Sequence, residues 1–304
     1  MSYLLDLEAI SRVSWYPGHM LKAQREIGEK LKLIDVVVIV VDARLPYTSW
    51  NSELLERIGG KQRIVWVNKQ DLADAETTST WVDWYRQQGM LVAGGDATKS
   101  KTRGKLLHLL KLAAARRTGA RARLRTACRA MVIGVPNVGK SSLINCLVGR
   151  PQAKTGPTPG VTRRQQWVPI GKDFELLDTP GVMVPRVADG VAGLRLGLIA
   201  AIKDRICGED LLAKYLFHWW AERDWLADLA DFYGVEALPE NGDALLDLLA
   251  AKWGFLQGEG RVDRTKAAQR ILQDFRAGRL RATTFEQPND LVEDSSAGDS
   301  RPAR

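Results

Sequence analysis

Two glycines with four residues between them, then a lysine and a serine, occur at Gly134-Val-Pro-Asn-Val-Gly-Lys-Ser141. Glycine lets the backbone N–H groups of such a loop converge on one point, where they hold polyphosphate oxygens. Lys140 brings a point charge to the outer phosphates, and the Ser141 hydroxyl is a Mg²⁺ ligand. Asn137, Val138, Gly139 and Ser142 complete the phosphate-facing set. A second constellation, Asp178-Thr-Pro-Gly181, offers a carboxylate to the same Mg²⁺ through water, and at Gly181 an N–H placed to sense the terminal phosphate. Between them, Thr158-Pro-Gly-Val-Thr162 is where a mobile loop must deliver a hydroxyl to Mg²⁺; Thr162 is the first choice and Thr158 the second. A third constellation is Asn68-Lys69-Gln70-Asp71. Its Asp71 carboxylate can accept from the N1–H and 2-amino groups of guanine, and adenine has no matching pair of donors. The Lys69 stem can lie against the base. Together these motifs argue for GTP/GDP with Mg²⁺ and against a P-loop enzyme of other chemistry, such as a nucleotide kinase.

Such residues need strands to present them. Val36–Val41 is a continuous β-branched run, as expected of a strand buried on both faces. Arg63–Val67 is a second and leads straight into Asn68; Met90–Ala93 is a third, after a helical stretch at about Thr77–Gly89. Ala130–Ile133 runs into the glycine loop, followed by a helix at Ser142–Gly149. Gln165–Ile170 and Phe174–Leu177 pattern as a hairpin. Strands alternating with helices predict an α/β fold with a mostly parallel sheet. Beyond Pro185, Leu211–Tyr233, Asp243–Trp253 and Asp263–Phe275 have helical spacing, which predicts an all-helical second domain. The expected organisation is a nucleotide domain over 1–184, a helical domain over 185–286 and a disordered tail over 287–304.

The motif order is unusual. The phosphate loop ordinarily precedes N-K-x-D; here N-K-x-D comes at 68 and the loop at 134. A parallel sheet tolerates this if the old termini are joined and a new break is opened, a circular permutation. The joining segment, Lys99–Arg129, holds eleven Lys or Arg and no Asp or Glu. It is either a solvated helix face with a linker or a nucleic-acid contact surface. The break falls after Asp178–Gly181, which attaches the helical domain directly to a nucleotide-sensing loop.

The net charge of +8 over 304 residues favours a polyanionic partner. Three widely spaced cysteines, Cys128, Cys146 and Cys207, form no Cys-x-x-Cys pair, so neither a zinc ribbon nor a disulfide framework is expected. The first residues lack a basic n-region, and an apolar run such as Val36–Val41 is far too short to span a bilayer. A cytoplasmic protein with no membrane contact is expected. In the helical domain, Arg261, Arg264, Lys266, Arg270, Arg276, Arg279 and Arg281 are candidate RNA contacts or a solvated face, with Ile271, Leu272 and Phe275 toward the core.

Taken in order, these motifs resemble the circularly permuted GTPases of the YlqF/YawG class, and most of all the bacterial ribosome biogenesis GTPase A family. The resemblance also takes in Trp15-Tyr-Pro-Gly-His-Met20, Val41-Asp-Ala-Arg-Leu-Pro46, Val191–Leu196 and Thr284-Phe-Glu-Gln-Pro288. It implies a monomeric GTPase that binds the precursor of the large ribosomal subunit and its rRNA late in assembly, with an RNA-binding helical domain. Val182 stands where many GTPases place a water-orienting Gln. A lone His19 reads as structural from the sequence itself; the resemblance implies that it is catalytic, alongside Lys140, Thr162 and Gly181. It also implies that Asn137 holds K⁺, and that the loop at Gly95-Asp96-Ala97, which departs from the family's Ser-containing pattern, supports the base. The alternative is an RNA-binding protein in which GTP sets affinity and hydrolysis is incidental.

Overall fold

The computed structural model describes residues 3–10, 27–50, 58–97, 99–116, 127–149, 166–179 and 190–289. The expected α/β architecture is present. Strands β1 (Val36–Asp42), β2 (Gln62–Asn68), β3 (Leu91–Gly95), β4 (Cys128–Ile133), β5 (Gln166–Ile170) and β6 (Phe174–Asp178) form one sheet in the order β3-β2-β1-β4-β6-β5. All neighbours are parallel except the β5–β6 hairpin. β1 is central and buried throughout, which is why its sequence is apolar without alternation.

Helix α1 (Ala75–Gln87) is capped by the Asp74 carboxylate, which accepts from the Thr77 N–H, and it buries Trp81 and Tyr85. They pack with Val37, Ile39, Val41, Val65 and Val67 on one face of the sheet. Alternate residues of β1 point to the other face. Helix α2 (Ser100–Ala115) packs on β1, β2 and β3, and α3 (Lys140–Val148) on β5 and β6.

Beyond residue 189, the α-helices among the described residues are α4 (Gly190–Leu198), α5 (Asp204–Cys207), α6 (Glu209–Ala221), α7 (Leu226–Tyr233), α8 (Gly242–Lys252) and α9 (Arg264–Arg276). The stretch expected as one helix over 211–233 is two. Asp224 takes a left-handed φ of 56°, and the Trp225 N–H turns back to the Trp220 carbonyl, which ends α6. α6, α8 and α9 pack on one another through Leu212, Leu216, Leu245, Leu249, Ile271 and Phe275, all buried.

Two compact units result, and neither is continuous in sequence. Residues 3–10 group with 190–282, whereas 283–289 group with the sheet. The boundary at 184 is the expected one; residues 3–10 and 283–286 group with the other unit than a division at 184 and 286 would give them. Tyr3 donates its hydroxyl to the Pro239 carbonyl at 2.9 Å, and the Leu5 N–H donates to His218 Nδ1 at 3.2 Å, so the first residues are fastened to helices. Of the tail expected to be disordered, 290–304 lie outside the described residues. All three cysteines are free; Cys128 and Cys207 are buried and Cys146 is half-buried. No helix among the described residues is long and apolar enough to cross a membrane.

Candidate nucleotide-binding site

The carboxyl ends of parallel strands all open on one edge, where ligands of open α/β sheets collect. β1 ends at Asp42, β2 at Asn68, β3 at Gly95 and β6 at Asp178, and β4 runs on into Gly134. In register, Asp42 lies beside Asn68, Asn68 beside Gly95, and Val132 beside Asp178. The permuted chain order therefore still brings the phosphate loop, the base-reading motif and the start of Asp178–Gly181 to one edge.

The glycine positions in the phosphate loop are sterically enforced. A Cβ on Gly134 would lie 2.4 Å from the Val40 carbonyl oxygen, and one on Gly139 (φ 99°) 2.2 Å from the Asn68 amide nitrogen. Gly139, which has no side chain to cap α3, opens that helix, and a helix N-terminus favours an anion. Lys140 is buried, and its ammonium donates to the Val135 carbonyl at 2.8 Å, which keeps the charge over the loop. Ser141 and Ser142 are half-buried in the first turn of α3.

Asn68 joins three loops. Its amide nitrogen donates to the Val138 carbonyl at 2.7 Å, and its amide oxygen accepts from the Ala97 N–H at 3.1 Å. The Asp96 carbonyl accepts from the Thr102 hydroxyl at 2.5 Å, which ties that loop to α2. Lys69, at φ 58°, donates to the Asn137 carbonyl at 2.6 Å, and Asn137 is itself left-handed at φ 61°. Asp71 is exposed on the short 3-10 turn Gln70–Leu72, its carboxylate open to a ligand.

Sequence reasoning gave no chemistry to the pair that sets the charge of this edge. Asp42 is fully buried at the end of β1. Arg44 meets it with two bonds, Nε at 2.9 Å and Nη2 at 2.8 Å, and the Lys69 ammonium lies 3.0 Å away. Burial works against the Asp42 charge, but Arg44 and Lys69 together outweigh it and hold the carboxyl well below the usual range. Burial lowers the Lys69 ammonium pKa, with Asp42 opposing. The signal was there to read: opposite charges two residues apart, straight after an entirely apolar strand.

His19, Thr158, Thr162, Gly181 and Val182 lie outside the described residues. Asp178 is described in its backbone, at the end of β6.

The helical unit sorts the basic candidates. Arg264 pairs with Asp247 and Asp243, and Arg276 with Asp204 and the carbonyls of Gly197 and Leu198, so both hold helices together. Arg261, Lys266, Arg270, Arg279 and Arg281 are exposed, although Lys266 pairs with Asp263, Arg279 with Asp274 and Arg281 with Asp228; Arg270 lies over Trp253 and Arg281 over Trp225, at 4.2 and 4.1 Å from the ring centroids.

Comparison with known proteins bears on this geometry. A family model described as 50S ribosome-binding GTPase matches residues 129–213. Ribosome biogenesis GTPase A of Priestia megaterium is 39% identical over 282 residues, covering 91% of this chain and 98% of that protein. The solved structure of GNP-bound YlqF from T. maritima superposes with a TM-score of 0.63 at 25% identity, covering 88% of this chain and 98% of the other. A GDP-bound YlqF gives a TM-score of 0.60 at 25% identity, over 88% and 100%.

Proposed function

The chain belongs to the ribosome biogenesis GTPase A family and is a GTPase that binds guanine nucleotide, and we propose that it hydrolyses GTP late in maturation of the large ribosomal subunit, with turnover stimulated by the ribosomal particle. The observation that carries the site is Asn68, whose one amide ties the phosphate loop to the base-reading strand and to the loop at Ala97. Phosphate and base are thus gripped by one rigid edge, with Asn137–Ser142 on the phosphates and Asn68, Lys69, Asp71, Asp96 and Ala97 around guanine.

The residues fit Mg²⁺. Ser141 opens α3, and Asp178 ends β6, whose neighbour β4 feeds the same loop. With Thr162 they would hold the ion, which supplies positive charge to the phosphates. Asn137 is a carbonyl-bearing side chain on the loop itself, of the right chemistry for K⁺. Lys140 stabilises charge on the outer phosphates, and the Gly181 N–H reports the terminal one. Val182 cannot orient a water, and the resemblance to the family gives that task to His19. Precursor rRNA is the expected polyanion, taken by exposed Arg and Lys of the helical unit and by the basic segment 99–129. The protein works as a cytoplasmic monomer.

The test is GTP turnover with and without large ribosomal subunits or their precursors, in K⁺ and in Na⁺, for the wild type and His19→Ala. Stimulation that needs K⁺ and disappears in the variant, with GTP binding retained, supports the reading. Turnover unchanged by any particle would overturn the stimulated mechanism and favour a GTP-regulated RNA-binding protein. Equal rates in the two salts would remove K⁺ alone.

A further inference from the structure

The stretch Thr284-Phe-Glu-Gln-Pro288 contributes nothing to phosphate or base chemistry, yet it is threaded into the sheet unit behind the base-reading turn. Thr283, Thr284, Phe285 and Glu286 are all buried. The Thr283 N–H donates to the Leu72 carbonyl at 3.2 Å, one residue past Asp71. The Thr284 hydroxyl accepts from the Asp74 N–H at 3.1 Å and donates to the Ala43 carbonyl at 3.4 Å. Ala43 in turn donates its N–H to the Asn68 carbonyl at 2.9 Å. One residue on, the Phe285 N–H donates to the Arg44 carbonyl at 2.9 Å. The Glu286 carboxylate takes the Tyr47 N–H at 2.7 Å, the Thr48 N–H at 3.0 Å and the Thr48 hydroxyl, while its backbone carbonyl accepts from Trp81 Nε1 at 3.0 Å.

We propose that Thr284 and Glu286 are positioning residues for guanine recognition: the strap 283–287 clamps the turn Gln70–Leu72 and the loop 43–48, and so sets the direction of the Asp71 carboxylate and of Lys69. The proposal rests on Asp71 as the guanine acceptor. A three-residue 3-10 turn has little stability of its own, so its orientation is set by what holds its ends. Entry is held by Asn68 and Lys69, exit by the strap at Leu72 and Asp74. A carboxylate that reads two donors at once tolerates displacements of only about 0.5 Å. The strap reaches Lys69 by the same route, because the loop it clamps carries Arg44, the bidentate partner of Asp42. Phe285 is the apolar anchor; Thr284 and Glu286 carry the orientation.

The test compares GDP with IDP, which lacks the 2-amino group and so engages one donor fewer. In the full chain, Thr284→Val and Glu286→Gln are expected to weaken GDP binding about 5- to 10-fold, the worth of roughly one hydrogen bond, and IDP binding less than about 2-fold. The guanine-to-hypoxanthine ratio then narrows, and Thr284→Ser, which restores the hydroxyl, returns it. A role in stability alone would lower the melting temperature and leave the ratio unchanged in both variants; that result overturns the proposal. Asp71→Asn separates the two failures. It should exchange GDP for XDP, whose 2-carbonyl accepts from an amide. If it does, and the strap variants keep their ratio, only the strap proposal falls. If it still prefers GDP, the base reading falls and the strap proposal with it.

Discussion

The sheet unit and the helical unit both carry many charges, and they use them in opposite directions. At the carboxyl edge of the sheet the charges turn inward: Asp42 and Arg44 are 0% and 1% exposed, and Lys140 is 6% exposed. In the helical unit, guanidinium groups lie over indole rings near the surface, Arg223 at 3.5 Å from the Trp219 centroid, with Arg270 and Arg281 stacked in the same way. Buried, paired charge costs desolvation and gives fixed geometry. A stacked arginine gives up little hydration and has its plane set in advance, although Arg223 and Arg281 also meet the carboxylates of Glu222 and Asp228. The first arrangement suits a small ligand read to a fraction of an ångström; the second suits a polyanion met over a wide face.

The contrast breaks most visibly at Asp42. Asp42→Ala leaves Arg44 and Lys69 without their carboxylate, and the expected loss is about 3–5 kcal/mol, read from urea unfolding. A midpoint equal to that of the wild type would mean that this buried charge holds nothing. Arg276 and Arg270 sharpen the comparison inside one helix. Arg276→Ala should cost about 1.5–3 kcal/mol, since it takes a charged donor from Asp204 and from two helix-end carbonyls. Arg270→Ala should stay within about 0.5 kcal/mol in stability while lowering RNA affinity and flattening its salt dependence. Equal destabilisation by the two would erase the division between inward and outward cations.

The smallest effect is a pH dependence. Burial holds the His218 imidazole below its ordinary range, Glu222 pulls the other way, and Arg223 adds to the lowering. The unfolded histidine takes its proton first, near pH 6.5, so this contribution is complete above that pH and is lost as the pH falls from there through the lower folded value. Protonation at Nδ1 would remove the acceptor of the Leu5 N–H. The protection factor of the Leu5 amide, its exchange corrected for the intrinsic pH dependence, should therefore fall between about pH 7 and pH 5, and a protection factor constant over that range would remove His218 as the fastening.

Much of the sheet could be read from the chain. β-branched runs ending in Asp or Asn gave the strands to within about two residues, because a central parallel strand is apolar on both faces and has no polar alternation to mislead. The phosphate loop and Asn68–Asp71 were legible because their spacing is their chemistry. Partners distant in sequence were not. Glu286 meets Tyr47 across 239 residues and Trp81 across 205, and no local pattern announces such a contact. The tryptophans show the same limit. Trp66, Trp81 and Trp220 fill cores while Trp225 and Trp253 lie beneath arginines, and the deciding neighbours come from other elements. Arg264, Arg276 and Arg281 look like the other basic residues of their segment until Asp243, Asp247, Asp204 and Asp228 arrive from other helices.

The strap has a consequence for biosynthesis. The last sheet strand ends at Asp178, but the residues that close the unit behind Trp81 begin at Thr283. At about 5–20 residues per second of translation, the interval between them is roughly 5–20 s. Throughout it the indole of Trp81 and the N–H groups of Tyr47 and Thr48 await their acceptor, while the helices encoded in between can already pack. The element begun first is thus finished last, and a nascent chain halted anywhere in residues 190–282 carries all six strands without the segment that fastens them.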